Sequence, residues 1–255
     1  LLADDPDTAV ALANAYVWAG RNEEAVSELL SLLKTPTAPV AARTLLERTY
    51  RRLGRGESLE QFYSETLAEF PDSVAWLTRA GAFAIDQRDF DEALRLYGKA
   101  YHLQQAATSD VRQSGPLRAA VLDGYLHSLL LSAGEPSGGD SWRPERLEEL
   151  LREAGKHVDT DWAAVALCRM AEARKKLGDD AEAGRLCCQA VDKAWSNDRL
   201  AMEILLRVRR LLGPEEVSRY CRDRLAATPD SLAANVTMFH LARIENDYDD
   251  AIGYV

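Results

Sequence analysis

The segment His157-Val158-Asp159-Thr160-Asp161 places an imidazole and two carboxylates close together, residue types that bind divalent cations. A closed site needs a third and a fourth ligand, and the neighbouring sequence supplies none. His102, His127 and His240 lie in distant stretches, and no HExxH pattern occurs. The segment reads more simply as a helix end followed by a cap before Trp162, so no metal and no cofactor is expected. Ser137-Gly138-Gly139 lacks the Gly-Lys-Thr continuation of a phosphate loop and follows no strand. Neither Ser137 nor Ser141 stands in a GxSxG elbow, which leaves a hydrolase without a nucleophile. Cys168, Cys187, Cys188 and Cys221 show no CxxC pairing and fall in helical patterns, where cysteine behaves as a small buried hydrophobe. The adjacent Cys187 and Cys188 point about 100° apart on a helix, and a bond between them would strain it. The expectation is a non-enzyme.

Composition narrows the partners. The 31 Lys plus Arg against 41 Asp plus Glu give a net charge of -10, which argues against nucleic acid and against an anionic membrane surface. No run approaches the roughly 18 apolar residues of a membrane span, and Leu1 to Pro6 does not read as a signal peptide. The chain breaks off at Val255 within a helical pattern and so reads as a piece of a longer protein; its compartment is left open between cytoplasm and bacterial periplasm, since targeting signals can lie outside the segment. With 47% hydrophobic residues it can bury a sizeable core.

That core is organised by a repeat. Tyr16 and Tyr50, Gly20 and Gly54, and Tyr63 and Tyr97 are each 34 residues apart. Each unit has an apolar-periodic helix, a short turn around Gly20, Gly54 or Arg88, and a second helix led by acidic residues. Gly20 and Gly54 can take the left-handed conformation that ends a helix. Glu23, Glu24, Asp89 and Asp180 put negative charge at the next helix start, where the dipole favours it. Small residues at Ala25, Ala93, Ala183 and Ala251 let paired helices approach closely. Pro71 and Pro229 close units. The aromatic residues Tyr16, Tyr50, Tyr63, Tyr97 and Trp76 recur at repeat positions and read as core.

On Leu12, Tyr16, Gly20 and Ala25, their counterparts Leu46, Tyr50 and Gly54, then Gly81, Ala93, Tyr97, Ala100 and Pro71, the sequence resembles the tetratricopeptide repeat family. Gly178, Ala183, Ala190, Gly213 and Pro229 extend the match. The resemblance implies an all-α fold, a right-handed α-solenoid of antiparallel helix hairpins. The chain is expected to form one array with units at about 6–39, 40–73, 74–107, 116–157, 164–198, 199–231 and an incomplete 232–255. The unit at 116–157 is irregular: Pro116 opens a long helix to about Ala133, a Gly- and Ser-rich loop at 134–142 replaces the tight turn, and a helix at about 144–155 follows. The unit at 199–231 is one residue short. Arg174 and Arg209 stand where the family prefers an aromatic residue.

The family also implies a non-catalytic scaffold that binds a protein or peptide segment on the concave face lined by first helices. In the second unit Leu46, Tyr50 and Leu53 mark the core, so Thr44, Arg48, Arg51 and Arg52 form a stripe on another face. Lys175, Lys176, Arg207, Arg210, His240 and Arg243 continue it in later units, and Asn14 and Trp18 lie on it in the first. An acidic chain thus keeps a basic stripe, suited to an acidic, extended partner. A solvated face with local pairs, Glu172 with Lys176 and Glu203 with Arg207 at i, i+4, explains the later units equally well. It does not explain Arg48 and Arg52, which are like charges at i, i+4. The family's clamp for C-terminal carboxylates is not met: Asn14 matches one position, but Val10 and Leu45 stand where Lys and Asn are needed. Two other roles fit the same pattern: a regulatory or recruiting domain of a larger enzyme or of an envelope or secretion assembly, and self-association through exposed repeat faces.

Overall fold

The computed structural model describes residues 5–35, 38–106, 115–135 and 142–244, the side chains of 115, 116, 243 and 244 excepted. Among the described residues there are thirteen α-helices and no strand, the all-α hairpin class expected of the sequence. In chain order they are α1 Pro6–Trp18, α2 Asn22–Leu33, α3 Val40–Leu53, α4 Gly56–Glu69, α5 Val74–Asp86, α6 Phe90–Ala106, α7 Gly115–Ser132, α8 Pro144–Gly155, α9 Ala163–Lys176, α10 Asp180–Ala194, α11 Asp198–Leu212, α12 Pro214–Ala227 and α13 Leu232–Ile244.

Hairpins form because the turn residues stop one helix and start the next. Gly54 has φ 66°, its N–H donates to the Arg51 carbonyl, and the Arg55 N–H donates to the Tyr50 carbonyl at 3.1 Å, a left-handed closure of the helix end. Gly20 and Gly178 close α1 and α9 in the same way. Arg88 holds this conformation without being glycine, at φ 63°. At helix starts, Asp5, Asp179 and Asn197 accept backbone N–H bonds from residues three further on, and Asp89 accepts that of Glu92 at 3.0 Å. Gly213 alone separates α11 from α12, ending one helix and preceding Pro214 of the next, which is how the short unit loses a residue.

The chain divides into two compact units, residues 1–76 and 77–255. In the first, α1 packs on α2, α2 on α3, α3 on α4, and α1 also touches α3. Its core holds Ala13, Val17, Ala25, Leu29, Leu45, Leu46, Tyr50, Phe62 and Tyr63, with the Phe62 and Trp76 rings edge to face at 5.8 Å. Tyr16 is only partly buried, unlike the other repeat tyrosines.

In the second unit each helix from α6 to α13 packs on the next, and the first helices also touch in series, α7 on α9, α9 on α11 and α11 on α13. Ala93 and Ala183 are fully buried at helix contacts, whereas Ala251 lies outside the described residues. Tyr97 is packed between two glycines. A Cβ on Gly124 would lie 2.0 Å from its ring and one on Gly81 2.7 Å, so both helices approach the tyrosine with bare backbone. Cys168, Cys187 and Cys221 are buried and burial pushes their thiols up, the last two to about 12, which keeps them as unreactive thiols. Cys188 differs: it is half-buried, with its Sγ in contact with the Tyr220 hydroxyl. Residues 136–141 of the irregular loop lie outside the described residues; the loop's far end is tied back by Arg143 N–H donating to the Ala133 carbonyl at 2.8 Å.

Candidate functional site

In the first unit the stripe is built from α1 and α3. Arg48 and Arg52 lie one helical turn apart and both are exposed. The Arg48 guanidinium donates to Asn14 Oδ1 at 3.2 Å, across one 34-residue period, and Arg52 donates to the Val17 carbonyl at 3.2 Å. Both acceptors are neutral, and among the described residues neither arginine forms an ion pair. Trp18 follows Val17 at the end of α1 and is 85% exposed. Arg51 is on another side of α3: it reaches Glu47 Oε1 at 3.3 Å and the Tyr63 hydroxyl at 3.1 Å, and Tyr63 donates to the same Glu47 oxygen at 2.6 Å. That arginine ties α3 to α4 through a buried tyrosine. Arg48 and Arg52 therefore offer two cations with hydrogen-bonding capacity left over, and Trp18, next in the chain to the carbonyl that Arg52 reaches, is a large exposed ring at the end of α1.

The second unit treats its cations differently. Arg207 on α11 donates both terminal nitrogens to the Asp123 carboxylate of α7, at 2.8 and 2.6 Å. Arg169 on α9 grips the same carboxylate with Nε at 2.7 Å and Nη2 at 3.1 Å, and places Nη1 2.6 Å from Glu172. Four bonds saturate one carboxylate, and the first helices of three successive hairpins are joined through it. Burial alone would push the Asp123 pKa up; the bonds from Arg207 and the charge of Arg169 override it and hold the carboxyl well below the usual range. Burial alone would likewise lower the arginines, and Asp123 raises both. His127, one turn along α7, is pushed down to about 4 by burial, then by the charge of Arg169.

The remaining stripe residues of this unit are dispersed. Lys175 is exposed and 2.7 Å from Asp180 at the start of α10. Lys176 is bonded to the Leu130 carbonyl and paired with Glu135, both at 3.3 Å. Arg210 is exposed with no ion pair among the described residues, and His240 is exposed with its ring against Phe239. Arg243 lies on α13, its side chain outside the described residues. The expected local pairs are not formed. Glu172 turns to Arg169 rather than Lys176, and Glu203 to Arg199 at 3.5 Å rather than Arg207. For Arg207, the half-buried Asp123 carboxylate, which accepts two bonds, outcompetes the exposed Glu203 on its own helix.

Sequence reasoning missed Asp123, Arg169 and His127. Their separations do not follow the 34-residue period, so the pattern that aligned the first helices did not reach them; the one available signal was an Asp and an Arg on the inner faces of consecutive apolar helices. His157 of the candidate metal segment lies with Nε2 2.9 Å from the Tyr101 hydroxyl. Among the described residues no group of three or more His, Cys, Asp or Glu gathers as a metal site. No helix among them is long and apolar enough to cross a membrane.

No family model matches the chain, and no curated protein does. Solved structures do. A putative kinesin light chain of Podospora anserina with nearly identical TPR-like repeats aligns over 76% of this chain and 99% of its own, at TM-score 0.52 and 18% identity. A Pyrococcus horikoshii signal transduction ATPase with numerous domains, which has a tetratricopeptide repeat sensor, aligns over 97% of this chain at TM-score 0.52 and 14% identity. The chain spans 40% of that protein's length. At these identities the likeness is one of fold, and the fold is of the tetratricopeptide type.

Proposed function

We propose that this chain is a non-catalytic protein-interaction scaffold, and that its first unit binds an acidic, extended segment of a partner protein at Arg48 and Arg52, with Asn14 and Trp18 beside them. The observation that carries the reading is the pair of exposed arginines one turn apart whose acceptors are neutral oxygens. Like charges at that spacing repel by a few tenths of a kcal/mol unless something neutralises them. A carboxylate arriving between them would relieve the repulsion and take two bonds from either fork. Trp18 supplies the kind of exposed, rigid aromatic surface that anchors a partner side chain. In the second unit, taken by itself, Arg207, Lys176 and Lys175 are already engaged by Asp123, Glu135 and Asp180, which leaves Arg210 and His240 as that unit's exposed candidates. Arg51 supports α3 rather than meeting the partner.

The test is photocrosslinking with p-benzoylphenylalanine in place of Trp18 in cells of the source organism, followed by mapping of the crosslinked peptide. An acidic segment without helical or sheet structure of its own is expected. Crosslinks to neutral or basic segments would overturn the acidic partner, and turnover of a small molecule by the purified chain would overturn the scaffold.

A further inference from the structure

Arg48 and Arg207 hold the same place in their repeats, each six residues before the glycine that ends its helix, Gly54 for α3 and Gly213 for α11. The residues around them agree. Leu45, Leu46 and Thr49 are buried in α3, and Ile204, Leu205 and Val208, at the same distances from the glycine, are buried in α11. What the two arginines meet is different: Arg48 gives one bond to the neutral Asn14 side chain at 3.2 Å, whereas Arg207 places two nitrogens on the Asp123 carboxylate at 2.8 and 2.6 Å.

The Asp123 and Arg207 side chains are 24% and 22% exposed, so their contact lies at the surface, where a partner's side chain can reach it. The same carboxylate is held by Arg169, which stands nine residues before Gly178, the place of the buried Leu45 in α3 and of the buried Ile204 in α11. An arginine in an apolar position supplies a second, buried fork, and the two forks together grip one carboxylate through four bonds. Glu172 takes the remaining terminal nitrogen of Arg169. Two cations thus face two anions in the second unit, while in the first Arg48 and Arg52 face none among the described residues.

We propose that Asp123 is an internal ligand that sets the specificity of the second unit: it fills, on Arg169 and Arg207, a carboxylate site that would otherwise take an acidic residue of the partner. The proposal rests on the acidic-segment reading of Arg48. Asp123 does at Arg207 what that reading requires of a partner at Arg48, where a carboxylate is to be held by two nitrogens of one guanidinium. Because it is tethered on α7, it competes with any acidic residue from solution at high effective concentration. An acidic segment is therefore directed to the arginines of α3, where no carboxylate is built in.

The test uses fluorescein-labelled hexaglutamate, followed by fluorescence anisotropy at low salt, with the whole chain carrying Arg48→Glu and Arg52→Glu as the background. Adding Asp123→Asn gives Arg207 a neutral amide, as Arg48 has, and should tighten binding at least about tenfold over the background. The gain should fade at physiological salt, and Arg207→Gln should abolish it. A second variant, Asp123→Asn with Arg169→Leu and Glu172→Gln, removes the stranded buried cation and its other carboxylate together, which guards against loss of the fold. It should gain affinity in the same way, with circular dichroism reporting that it is folded. Binding by either folded variant no tighter than by the background would overturn the proposal, as would a gain that survives Arg207→Gln. The drop from wild type to the background reads the Arg48 site and the gain over the background reads Asp123, so the two readings can fail separately.

Discussion

Arg207 reaches back over 84 residues to place two nitrogens on the two oxygens of Asp123, at 2.8 and 2.6 Å. The same carboxylate holds Arg169, so removing it strands two guanidiniums, one of them almost wholly buried. Breaking a buried pair by deleting one partner costs about 3–5 kcal/mol. Asp123→Ala should destabilise by that order in denaturant titration. Replacing the whole cluster by apolar residues of similar volume should cost far less, since the desolvation of the charges disappears with them.

Tyr97 fixes a second expectation. A Cβ on Gly124 would fall 2.0 Å from its ring, against 2.7 Å for Gly81. Alanine in a helix gains up to about 1 kcal/mol over glycine, while overpacking a core typically costs about 1–3 kcal/mol. Gly124→Ala should therefore lower stability, and by more than Gly81→Ala. Stability gained in both would show that the ring has room to move.

At Arg88 the sign reverses. A non-glycine residue in the left-handed region costs roughly 1–2 kcal/mol, and glycine removes that cost while adding some entropy to the unfolded chain. Arg88→Gly should raise the thermal midpoint slightly. A lower midpoint would mean that the arginine side chain stabilises the turn by more than the strain.

His127 gives a pH dependence. Its folded pKa of about 4 lies below the ordinary 6.5, so between these values the unfolded chain holds a proton that the folded chain does not. Its contribution is complete above pH 6.5 and is lost as pH falls towards 4. His127→Gln should flatten the loss of stability across that window. Asp123, held below the usual carboxylate range, adds a loss at still lower pH that the variant leaves in place.

The hairpins were legible because their determinants are local. Gly20, Gly54, the acidic first turns and the 34-residue apolar spacing each act within one unit, and the helices fall where those signals place them. The like-charged spacing of Arg48 and Arg52 could also be read directly, but not the Asn14 and Val17 oxygens that receive them, which require two helices to be packed. The Asp123 cluster was hidden because the irregular hairpin breaks the period. Its bonds span 46 and 84 residues, and the nearer i, i+4 partners looked sufficient. Burial of Leu46 and exposure of Leu12 are likewise a matter of neighbours, since one pattern predicts the same face for both.

The reading of the first unit as an acceptor of acidic segments rests on Arg48 and Arg52. The measurement is calorimetric titration of the crosslinked partner's acidic segment, as a synthetic peptide, into wild type and an Arg48→Glu, Arg52→Glu double variant at low and physiological salt. Wild type should bind and weaken as screening shortens to about 8 Å, and the double variant should lose most of the affinity at both salts while circular dichroism shows it folded. Equal, salt-independent binding by the two folded proteins would contradict it and leave the arginines as ordinary surface charge.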